Sequence, residues 1–458
     1  MYVFGSSGVR GVVGEEITPS FVGRIAAAAG AVLEAETIAV ARDTRTTGRM
    51  FVDAAASALA GTGCSVRRLG VVPTPGVQAY AERSEVPAIM ITASHNPPAY
   101  NGVKLIGDDG IELSERTLER VESRLETGDV DAVGYAETGT SRTIDGTRSA
   151  YVDDLLDRLD AIGVRDRIAD AGLTVALDPG HGAGCLTSPG FFRRLGCRVV
   201  TLNAQPDGHF PGRDPEPVAE NLADLRRLVR SCDADLGIAH DGDGDRAMFV
   251  DENGTHIDGD ASFAALAAAK IEPDDTVVSA INVSQRLVDV VTAAGGELEL
   301  TPIGSTYLIS RIRELRAEGA SVSVAGEGNG GVLFPDYRIA RDGAYAAARF
   351  LELVAERPAS EIAADHGGYS MVRKNLAYDD PAEREAMLRA AEAYAETVDA
   401  ELTTIDGYRL DYGDAWVLAR PSGTEPLVRL YAEGKRRERA SALMGSLHEE
   451  MARARSGE

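Results

Sequence analysis

The stretch Thr92-Ala-Ser-His-Asn-Pro97 places a serine hydroxyl directly after an apolar run. That run, residues 86–91, is short and is ended by small polar residues and prolines, which is typical of a buried strand. Ligands of open α/β sheets bind at strand ends, where a loop exposes a hydroxyl that a helix or strand would hide. We interpret Ser94 as a hydroxyl that carries a phosphoryl group. The alternative is an ordinary turn, because Ser, Asn and Pro all form turns.

His95 follows Ser94 directly, but this pair does not indicate a serine hydrolase. Adjacent residues point in different directions, so we expect His95 to be poorly placed to deprotonate its neighbour, and no G-x-S-x-G motif surrounds the serine. We predict instead that His95 contacts a phosphate or anchors the loop.

Three aspartates at alternate positions, in Asp241-Gly-Asp-Gly-Asp-Arg246, form a second candidate site. The glycines let the backbone fold around a point, so the carboxylates can converge on one hard cation, which prefers oxygen ligands. We predict that Asp241, Asp243 and Asp245 bind Mg²⁺.

The aspartate stretch has two other interpretations. Glu252, the twelfth residue from Asp241, favours a calcium hand, but Arg246 occupies the sixth position, where the sharp turn needs Gly, and the flanks are strand-like. Alternatively, Asp241 or Asp243 is itself a phosphorylated nucleophile, and Ser94 then has no chemical role.

Two further glycine-rich stretches can bind a phosphorylated sugar. In Gly326-Glu-Gly-Asn-Gly-Gly331, Glu327 and Asn329 can pair with vicinal hydroxyls while the glycines allow close approach, although this signal is weak alone. Arg420-Pro-Ser-Gly-Thr-Glu-Pro426 combines a guanidinium, two hydroxyls and backbone N–H groups, the components of a phosphate cradle. The alternative for the latter is a surface turn. Pro179-Gly-His-Gly-Ala-Gly184 lacks a nearby basic residue and is interpreted as a structural turn.

Length and charge limit the possible classes of protein. At 458 residues the chain exceeds a single core and predicts about three or four compact units. The net charge of −25 argues against binding to nucleic acid or to an anionic membrane. Only four lysines are present. Such an acidic, lysine-poor surface suits a halophile, because the Debye length falls to about 3 Å at 1 M salt.

Cysteine spacing and the N-terminus give no sign of secretion. The four cysteines lack C-x-x-C spacing, so neither a zinc site nor a disulfide framework is indicated. The first residues lack a basic region followed by an apolar one, and no apolar stretch approaches the roughly 20 residues that span a bilayer. We predict a cytoplasmic protein.

Apolar runs with strand and helix periodicity alternate along most of the chain, which predicts βαβ units and mainly parallel sheets. We predict α/β units over residues 1–148, 149–251 and 252–368 and an α+β unit over residues 369–458. The polar stretch Thr138–Thr147 is expected to be a linker. Ser114 is expected to cap the N-terminus of the helix that follows it.

These stretches together resemble the α-D-phosphohexomutase family, which comprises phosphoglucomutases, phosphomannomutases and phosphoglucosamine mutases. The likeness covers essentially the whole chain. It rests on Phe4-Gly-Ser-Ser-Gly-Val-Arg-Gly11, Thr92–Pro97, Asn101-Gly-Val-Lys104, Asp241–Arg246, Gly326–Gly331 and Arg420–Pro426. It implies four domains around a central cleft, of which the first three are α/β domains with related topology.

The resemblance also implies a role for each site residue. Ser94 is the phosphoserine, and its phosphate binds Mg²⁺ together with Asp241, Asp243 and Asp245. The remaining implied roles are cations beside the transferring phosphoryl group (Arg10, Lys104), contacts to the sugar hydroxyls (Glu327, Asn329) and a cradle for the nontransferred phosphate (Arg420, Ser422, Gly423, Thr424). We also count His95 among the catalytic residues and Arg246 among the substrate-binding residues.

The implied activity is the interconversion of hexose or hexosamine 1-phosphate and 6-phosphate through a hexose 1,6-bisphosphate that turns over within the cleft. The partner is a small phosphosugar, and the protein is a monomer or homodimer. A phosphatase and a noncatalytic sugar-phosphate-binding or calcium-binding protein are the competing hypotheses. The layout, including Leu202-Asn-Ala-Gln-Pro-Asp-Gly208, is most similar to the archaeal phosphoglucosamine mutase branch. Gly328, Ser305 and the glycine of Asp243-Gly-Asp245, where Asp-Ala-Asp is commoner, depart from the family pattern, which leaves glucosamine, glucose, mannose and pentose phosphates open as substrates.

Overall fold

Four β-sheets follow one another along the chain, each with its own helices. The structure, a computed structural model, describes residues 4–5, 8–128, 132–422 and 426–456. Three sheets mix parallel and antiparallel strands, and the fourth is antiparallel throughout. The predicted class, three α/β units followed by an α+β unit, is confirmed. The limits of the four units stay a prediction.

The first unit holds a six-stranded sheet. Its strands are β1 (Val9–Val12), β2 (Thr37–Arg42), β3 (Ser65–Val71), β4 (Ala88–Ile91), β5 (Tyr100–Ile106) and β6 (Ser141–Thr143). Its helices are α1 (Pro19–Leu33), α2 (Gly48–Gly61), α3 (Thr74–Ser84) and α4 (Glu115–Thr127). Strands β4, β2, β3 and β6 are parallel, whereas β1 and β5 are antiparallel to their neighbours.

The second unit holds five strands. They are β7 (Thr174–Asp178), β8 (Arg198–Thr201), β9 (Leu236–Ala239), β10 (Met248–Asp251) and β11 (His256–Ile257). Its helices are α5 (Thr147–Ala161), α6 (Val164–Ala171), α7 (Ser188–Arg194) and α8 (Ala223–Ser231). The Pro179–Gly184 stretch overlaps a short 3₁₀ helix, Ala183–Leu186, and the Arg213 guanidinium lies against Gly180, a neighbour that the sequence did not indicate.

The third unit is built in the same way. Its strands are β12 (Thr276–Ala280), β13 (Glu297–Thr301), β14 (Val322–Gly326), β15 (Val332–Phe334) and β16 (Arg338–Arg341). Its helices are α9 (Gly259–Ala268), α10 (Gln285–Ala294), α11 (Ser305–Ala317), α12 (Gly343–Val354) and α13 (Ala359–Asp365).

The fourth unit packs two long helices on an antiparallel sheet. Its strands are β17 (Ser370–Ala377), β18 (Glu401–Thr403), β19 (Tyr408–Asp411), β20 (Ala415–Pro421) and β21 (Leu427–Gly434), in the order β17-β21-β20-β19-β18. The helices are α14 (Pro381–Thr397) and α15 (Arg437–Ser456).

The first three sheets share one strand order. Three parallel strands come in the order β3-β2-β4, β8-β7-β9 and β13-β12-β14, and two antiparallel strands continue each sheet as β5-β1, β10-β11 and β15-β16. The related topology that the resemblance implies is therefore confirmed, although the sequence shows no internal repeat.

Two local expectations are corrected. The expected linker Thr138–Thr147 contains β6, which extends the first sheet beside β3, because three polar residues can pair at a sheet edge without an apolar pattern. Ser114 does occupy the N-cap position of α4, but its hydroxyl makes no capping bond and lies 3.0 Å from the Thr117 hydroxyl instead.

A single apolar cluster contains buried residues of both the second and the third unit, from Tyr151 of α5 to Ile362 of α13. Because they share this core, the relative positions of their loops are fixed.

Among the described residues, no helix has the length and apolar character needed to cross a membrane.

Candidate active site

Three of the predicted site loops occupy the same place in their sheets. Residues 92–99 follow β4, residues 240–247 follow β9, and residues 327–331 follow β14. Each loop joins the third parallel strand of its sheet to the neighbouring antiparallel strand. Because the three sheets have the same topology, each unit can direct one loop into a shared cleft.

Ser94 is fully buried and has a left-handed backbone conformation, with φ of +48°. This conformation is uncommon for residues other than glycine and needs support from its surroundings. The Ser94 hydroxyl donates to Asp241 Oδ2 at 2.6 Å, although the two residues are 147 positions apart. The serine loop and the aspartate loop therefore meet at the predicted nucleophile.

A buried network holds the serine loop. Arg45, which is fully buried, donates to four carbonyl oxygens of the loop; these belong to Ser94 (2.9 Å), Asn96 (2.6 Å), Pro97 (2.7 Å) and Tyr100 (2.9 Å). Asp43 accepts from Arg45 Nε at 3.1 Å and from the Thr92 hydroxyl at 2.7 Å. The Thr92 oxygen in turn accepts from the Ser94 N–H at 2.8 Å. Both backbone groups of Ser94 are thus fixed by buried partners, which supports its strained conformation.

His95 lies closer to Ser94 than the sequence suggested. Its Nδ1 is 3.3 Å from the Ser94 hydroxyl oxygen. The serine hydrogen points to Asp241, so the imidazole can donate to Ser94 Oγ through Nδ1–H. Burial, together with the cations of Arg246 and Arg10, lowers the pKa of His95 well below its usual value.

The three aspartates are buried and converge. Asp241, Asp243 and Asp245 are at most 1% exposed, and one oxygen from each lies within 4.8 Å of the others. Asp243 Oδ2 accepts from the Thr74 hydroxyl at 2.6 Å, and Asp245 Oδ2 accepts from Lys104 Nζ at 3.0 Å. Each carboxylate therefore has one oxygen fixed by the protein.

The remaining oxygens suit a divalent cation. Within the described part of the chain, Asp243 Oδ1 and Asp245 Oδ1 are buried and accept no hydrogen bond. Buried carboxylate oxygens without a donor are costly unless a metal ion or another cation binds them. Three hard oxygen ligands in one loop are the set that Mg²⁺ prefers. The residues therefore fit a magnesium site.

Burial and mutual repulsion perturb the carboxyl groups unequally. Burial and the charges of Asp245 and Asp243 raise the pKa of Asp241 well above its usual value. Burial acts in the same direction on Asp245, but Arg341, Lys104 and Arg246 outweigh it and hold the pKa of Asp245 below its usual range.

The structure brings three predicted cations to this cluster. Lys104 on β5 is 2% exposed, and its Nζ lies 3.0 Å from Asp245, 3.5 Å from Asp243 and 3.5 Å from Glu112. Burial opposes the charge of Lys104, but the three carboxylates raise its pKa. The Arg246 N–H donates to Asp241 Oδ1 at 3.3 Å, and Arg246 Nε lies 4.0 Å from Asp245.

Arg10 reaches the site from β1, where it pairs with Gly102 of β5. A side chain at Gly102 would place its Cβ 2.6 Å from the Thr92 carbonyl oxygen and 3.1 Å from Arg10 Cγ, so glycine is needed there. Arg10 Nη1 donates to Asn96 Oδ1 at 3.0 Å. Burial, reinforced by Arg246 and opposed by Asp243, lowers the pKa of Arg10 to about 10.

Several residues of the cluster were missed from the sequence. They are Asp43, Arg45, Thr74, Thr92, Glu112 and Arg341. Arg341 Nη2 donates to Asp245 Oδ2 at 2.8 Å from a position 96 residues away. Glu112 Oε2 accepts from the Ser305 hydroxyl at 3.3 Å, which joins the first unit to the third. No local sequence pattern predicts contacts over such separations.

The predicted sugar loop is ordered by its own side chains. Glu327 accepts from the Gly304 N–H at 2.6 Å and from the Asn329 amide at 3.0 Å, and Asn329 Oδ1 accepts from the Gly331 N–H at 3.1 Å. Each carboxylate and carbonyl oxygen has a second lone pair, so both residues can still contact a sugar hydroxyl.

The fourth predicted loop joins β20 to β21. Arg420 Nε lies 2.8 Å from Asp406 Oδ2, and the same oxygen accepts from the Ile303 N–H of the third unit at 3.2 Å. The Arg420 N–H does not point at Asp406, so this contact is an ion pair without a hydrogen bond. The Ser422 N–H donates to the Leu427 carbonyl at 2.8 Å. Gly423 and Thr424 lie outside the described residues.

Glu252, the residue that favoured a calcium hand, is engaged elsewhere. Its carboxylate accepts from the Ser360 hydroxyl and N–H near α13 and from the Asn253 amide. The flanks of the aspartate loop are the strands β9 and β10, where a calcium hand has helices. The structure therefore does not support a calcium hand.

Comparisons with known proteins agree with this architecture. Four family models match in order: phosphoglucomutase/phosphomannomutase alpha/beta/alpha domain I at residues 1–131, domain II at 149–254, domain III at 258–367 and the C-terminal domain at 374–449. The four matches together cover most of the chain.

Individual relatives cover nearly the whole length. A probable phosphoglucosamine mutase of Methanopyrus kandleri is 39% identical over 96% of this chain and 95% of its own length. A phosphoglucomutase/phosphomannomutase of Thermococcus kodakarensis is 37% identical over 96% of both. The crystal structure of a phosphoglucomutase/phosphomannomutase family protein from Burkholderia thailandensis superposes with a TM-score of 0.83 at 27% identity, covering 99% of this chain and 97% of that one.

The four-unit fold, the loops that converge at the cleft, and the matching family models and relatives together define the class of protein. It is a mutase, an enzyme of the isomerase class that acts on phosphohexoses. The chain belongs to the phosphoglucomutase/phosphomannomutase family.

Proposed function

We propose that this phosphohexomutase is a Mg²⁺-dependent phosphoglucosamine mutase that uses phosphorylated Ser94 and a glucosamine 1,6-bisphosphate intermediate. The observation that carries the proposal is the 2.6 Å hydrogen bond from the Ser94 hydroxyl to Asp241, within a cluster of three buried aspartates. The sugar is supported by the probable phosphoglucosamine mutases among the relatives, one of them 39% identical.

Asp241, Asp243, Asp245 and the Ser94 phosphate would hold the metal. When bound, Mg²⁺ neutralises phosphoryl oxygens and lowers the repulsion against an attacking hydroxyl. Thr74 and Lys104 each fix one carboxylate oxygen, so the ligands do not need to reorganise. Asp43, Arg45 and Thr92 keep Ser94 at the cluster.

The transfer itself exchanges one P–O bond for another. A sugar hydroxyl attacks the phosphorus, the bond from phosphorus to Ser94 Oγ breaks, and the proton of the hydroxyl is transferred in net terms to Ser94 Oγ, which gives a sugar bisphosphate and a free serine hydroxyl. The reverse step returns the phosphoryl group at the other end of the sugar to Ser94. Lys104, Arg10 and Arg246 present cations to the oxygens of this group, which offsets the charge that develops on them. His95 can donate to Ser94 Oγ through Nδ1 when that oxygen is the leaving group.

Sugar and distal phosphate are held by the other two loops. Glu327 and Asn329 would contact the hydroxyls through their free lone pairs, and Arg420 with Ser422, Gly423 and Thr424 would hold the nontransferred phosphate. Arg420 is held near the third unit by Asp406, which supports a cradle facing the sugar loop.

Phosphorus NMR tests the proposal directly. Purified enzyme with Mg²⁺ and a trace of sugar bisphosphate is given the 1-phosphates of glucosamine, glucose and mannose in turn. We expect glucosamine phosphate to give the highest kcat/KM, and Ser94→Ala to lower kcat by at least about 10³-fold. The control Ser323→Ala removes another buried serine hydroxyl, on β14, and should retain activity.

The outcomes separate the competing hypotheses. Isomerisation by Ser94→Ala at the wild-type rate would overturn the phosphoserine mechanism. Release of inorganic phosphate as the main product would indicate a phosphatase. A higher kcat/KM for glucose or mannose would replace the sugar and keep the mechanism, which would agree with the relative named phosphoglucomutase/phosphomannomutase.

The composition supports a proposal on the environment of the enzyme. We infer a cytoplasmic protein of a salt-rich cell, because the net charge is −25 and only four lysines are present. The acidic surface also agrees with a small-molecule partner and with the absence of nucleic-acid binding.

A further inference from the structure

Arg341 is a buried cation of the site that none of the predicted motifs contains. It is the last residue of β16, it is 5% exposed, and its Nη2 lies 2.8 Å from Asp245 Oδ2. Lys104 Nζ lies 3.0 Å from the same oxygen. Both cations contact Oδ2 of Asp245. The other oxygen, Oδ1, is buried and accepts no hydrogen bond within the described part of the chain.

The side chain of Arg341 passes through space that Gly331 leaves open. A Cβ at Gly331 would lie 2.5 Å from Arg341 Cδ, which is closer than packed atoms tolerate. Gly331 closes the sugar loop, where its N–H donates to Asn329 Oδ1 at 3.1 Å. Arg341 can therefore extend from the third unit to the aspartate loop of the second only because residue 331 is a glycine.

We propose that Arg341 is a positioning residue that fixes the Asp245 carboxylate for Mg²⁺ and that Gly331 is the residue that admits it. The inference rests on the proposed metal site. Outer-shell partners of this kind orient a ligand, and their loss typically lowers metal affinity about 10- to 100-fold. Because Arg341 lies beside the sugar loop, it also makes the metal ligand sensitive to movement of that loop.

The effect of orientation must be separated from the effect of charge. Removing a cation beside Asp245 would strengthen the attraction for Mg²⁺, whereas releasing the carboxylate would weaken binding. Arg341→Lys keeps the charge but loses the rigid planar fork that spans the gap. Gly331→Ala keeps every charge and pushes the Arg341 stem aside. Both variants therefore change geometry while the net charge stays constant.

Isothermal titration of Mg²⁺ into EDTA-treated, dialysed protein is the test. We expect Arg341→Lys and Gly331→Ala each to raise the Mg²⁺ Kd about 10-fold. The double variant should bind about as weakly as either single variant, because both changes break one contact and contacting residues are not additive. Circular dichroism and thermal unfolding verify that each variant is folded, and each single variant serves if the other does not fold.

Arg338→Lys is the matched control. Arg338 begins the same strand, is 4% exposed, and pairs with Glu82 and Asp154 instead of the aspartate loop. Its variant should bind Mg²⁺ as wild type does. Unchanged Kd values in both single variants, additive effects in the double variant, or an equal loss in the Arg338→Lys control would overturn the inference. A wild-type protein that binds no Mg²⁺ would instead overturn the proposed metal site itself.

Discussion

At the scale of single residues, the chemistry depends on how one serine is held. Ser94 has φ of +48°, a conformation that costs on the order of 1–3 kcal/mol for a residue other than glycine. Its N–H donates to the Thr92 hydroxyl oxygen, and its carbonyl accepts from Arg45. Thr92 in turn donates to Asp43 Oδ2, so one hydroxyl connects the serine to a buried carboxylate.

Removal of the Thr92 hydroxyl should therefore misplace Ser94. Thr92→Val has nearly the same shape, but it leaves the buried Ser94 N–H without a partner and removes one of the two hydrogen bonds to Asp43 Oδ2, to which Arg45 Nε still donates. We expect kcat to fall about 10²-fold with little change in KM, since a displacement of about 1 Å has costs of that size. Steady-state kinetics with hexosamine phosphate, together with mass spectrometry of Ser94 phosphorylation by the bisphosphate, measure both effects.

Thr92→Ser is the matched variant for this prediction because it keeps the oxygen and loses only a methyl group. It should retain most of the activity and of the Ser94 phosphorylation. Equal loss in both variants would show that packing of the methyl group, and not the hydrogen bonds, supports the serine.

The sequence was sufficient for residues that lie together in one motif. Asp241, Asp243 and Asp245 alternate in a single loop, so their convergence is predictable from the glycines between them. Thr74 and Arg341 were not predictable, because they reach Asp243 and Asp245 across 169 and 96 residues. Such contacts depend on how units pack, which no short pattern encodes.

At the scale of elements, the fourth sheet is attached to the third unit through a helix end. Glu433 of β21 is fully buried and accepts from the Ser284 hydroxyl at 2.6 Å and from the Gln285 N–H at 2.7 Å, at the start of α10. It also accepts from Trp416 Nε1 at 3.1 Å and Arg286 Nη1 at 3.3 Å. A carboxylate at a helix N-terminus satisfies unpaired N–H groups and complements the helix dipole.

Glu433→Gln should loosen this attachment. The amide places a donor against donors and removes the charge that Arg286 pairs with, so we expect a loss of about 3 kcal/mol in unfolding free energy. The single tryptophan of the sequence, Trp416, contacts Glu433, and its fluorescence during urea unfolding reports on this interface.

Two comparisons sharpen the measurement on Glu433. Glu401→Gln changes an exposed glutamate on β18 of the same sheet and should change stability by less than about 0.5 kcal/mol. A double-mutant cycle with Ser284→Ala should give a coupling energy of about 1 kcal/mol or more. Zero coupling would mean that the hydrogen bond across the units contributes nothing.

Elements with a clear start signal in the sequence were predictable, and an edge strand without an apolar pattern was not. Helix α14 (Pro381–Thr397) begins after Asp380, whose side chain accepts from the N–H groups of Ala382 and Glu383, and both the proline and the acidic cap are visible in the sequence. Strand β6 has three exposed polar residues, a pattern that predicts a linker. It exists because β3 offers a free edge, which is a property of the sheet.

At the scale of the whole molecule, polar bridges join the first three units. Arg338 of β16 pairs with Glu82 of α3 and Asp154 of α5, and Tyr151 donates to Asp342 at 2.8 Å. Glu82 and Asp154 are partly exposed, so these contacts link the outer surfaces of the three units and do not touch the aspartate loop. The fourth unit docks on the third through Glu433 and Asp406, through a hydrogen bond from Arg409 to the Ile281 carbonyl, and through an apolar cluster of Ile281, Trp416 and Leu418.

Salt should stabilise the whole molecule, because its surface carries the excess charge. With a net charge of −25, self-repulsion is strong at 0.1 M KCl and screened at 2 M. A gain of about 3 kcal/mol would raise the thermal midpoint of a chain of this length by roughly 3 °C, as measured by circular dichroism. Replacing the exposed Glu119, Asp170 and Glu396 by lysine removes three negative charges and adds three positive ones, which should reduce this rise. A midpoint that does not change with KCl, or a variant with the wild-type salt dependence, would show that charge repulsion does not limit stability.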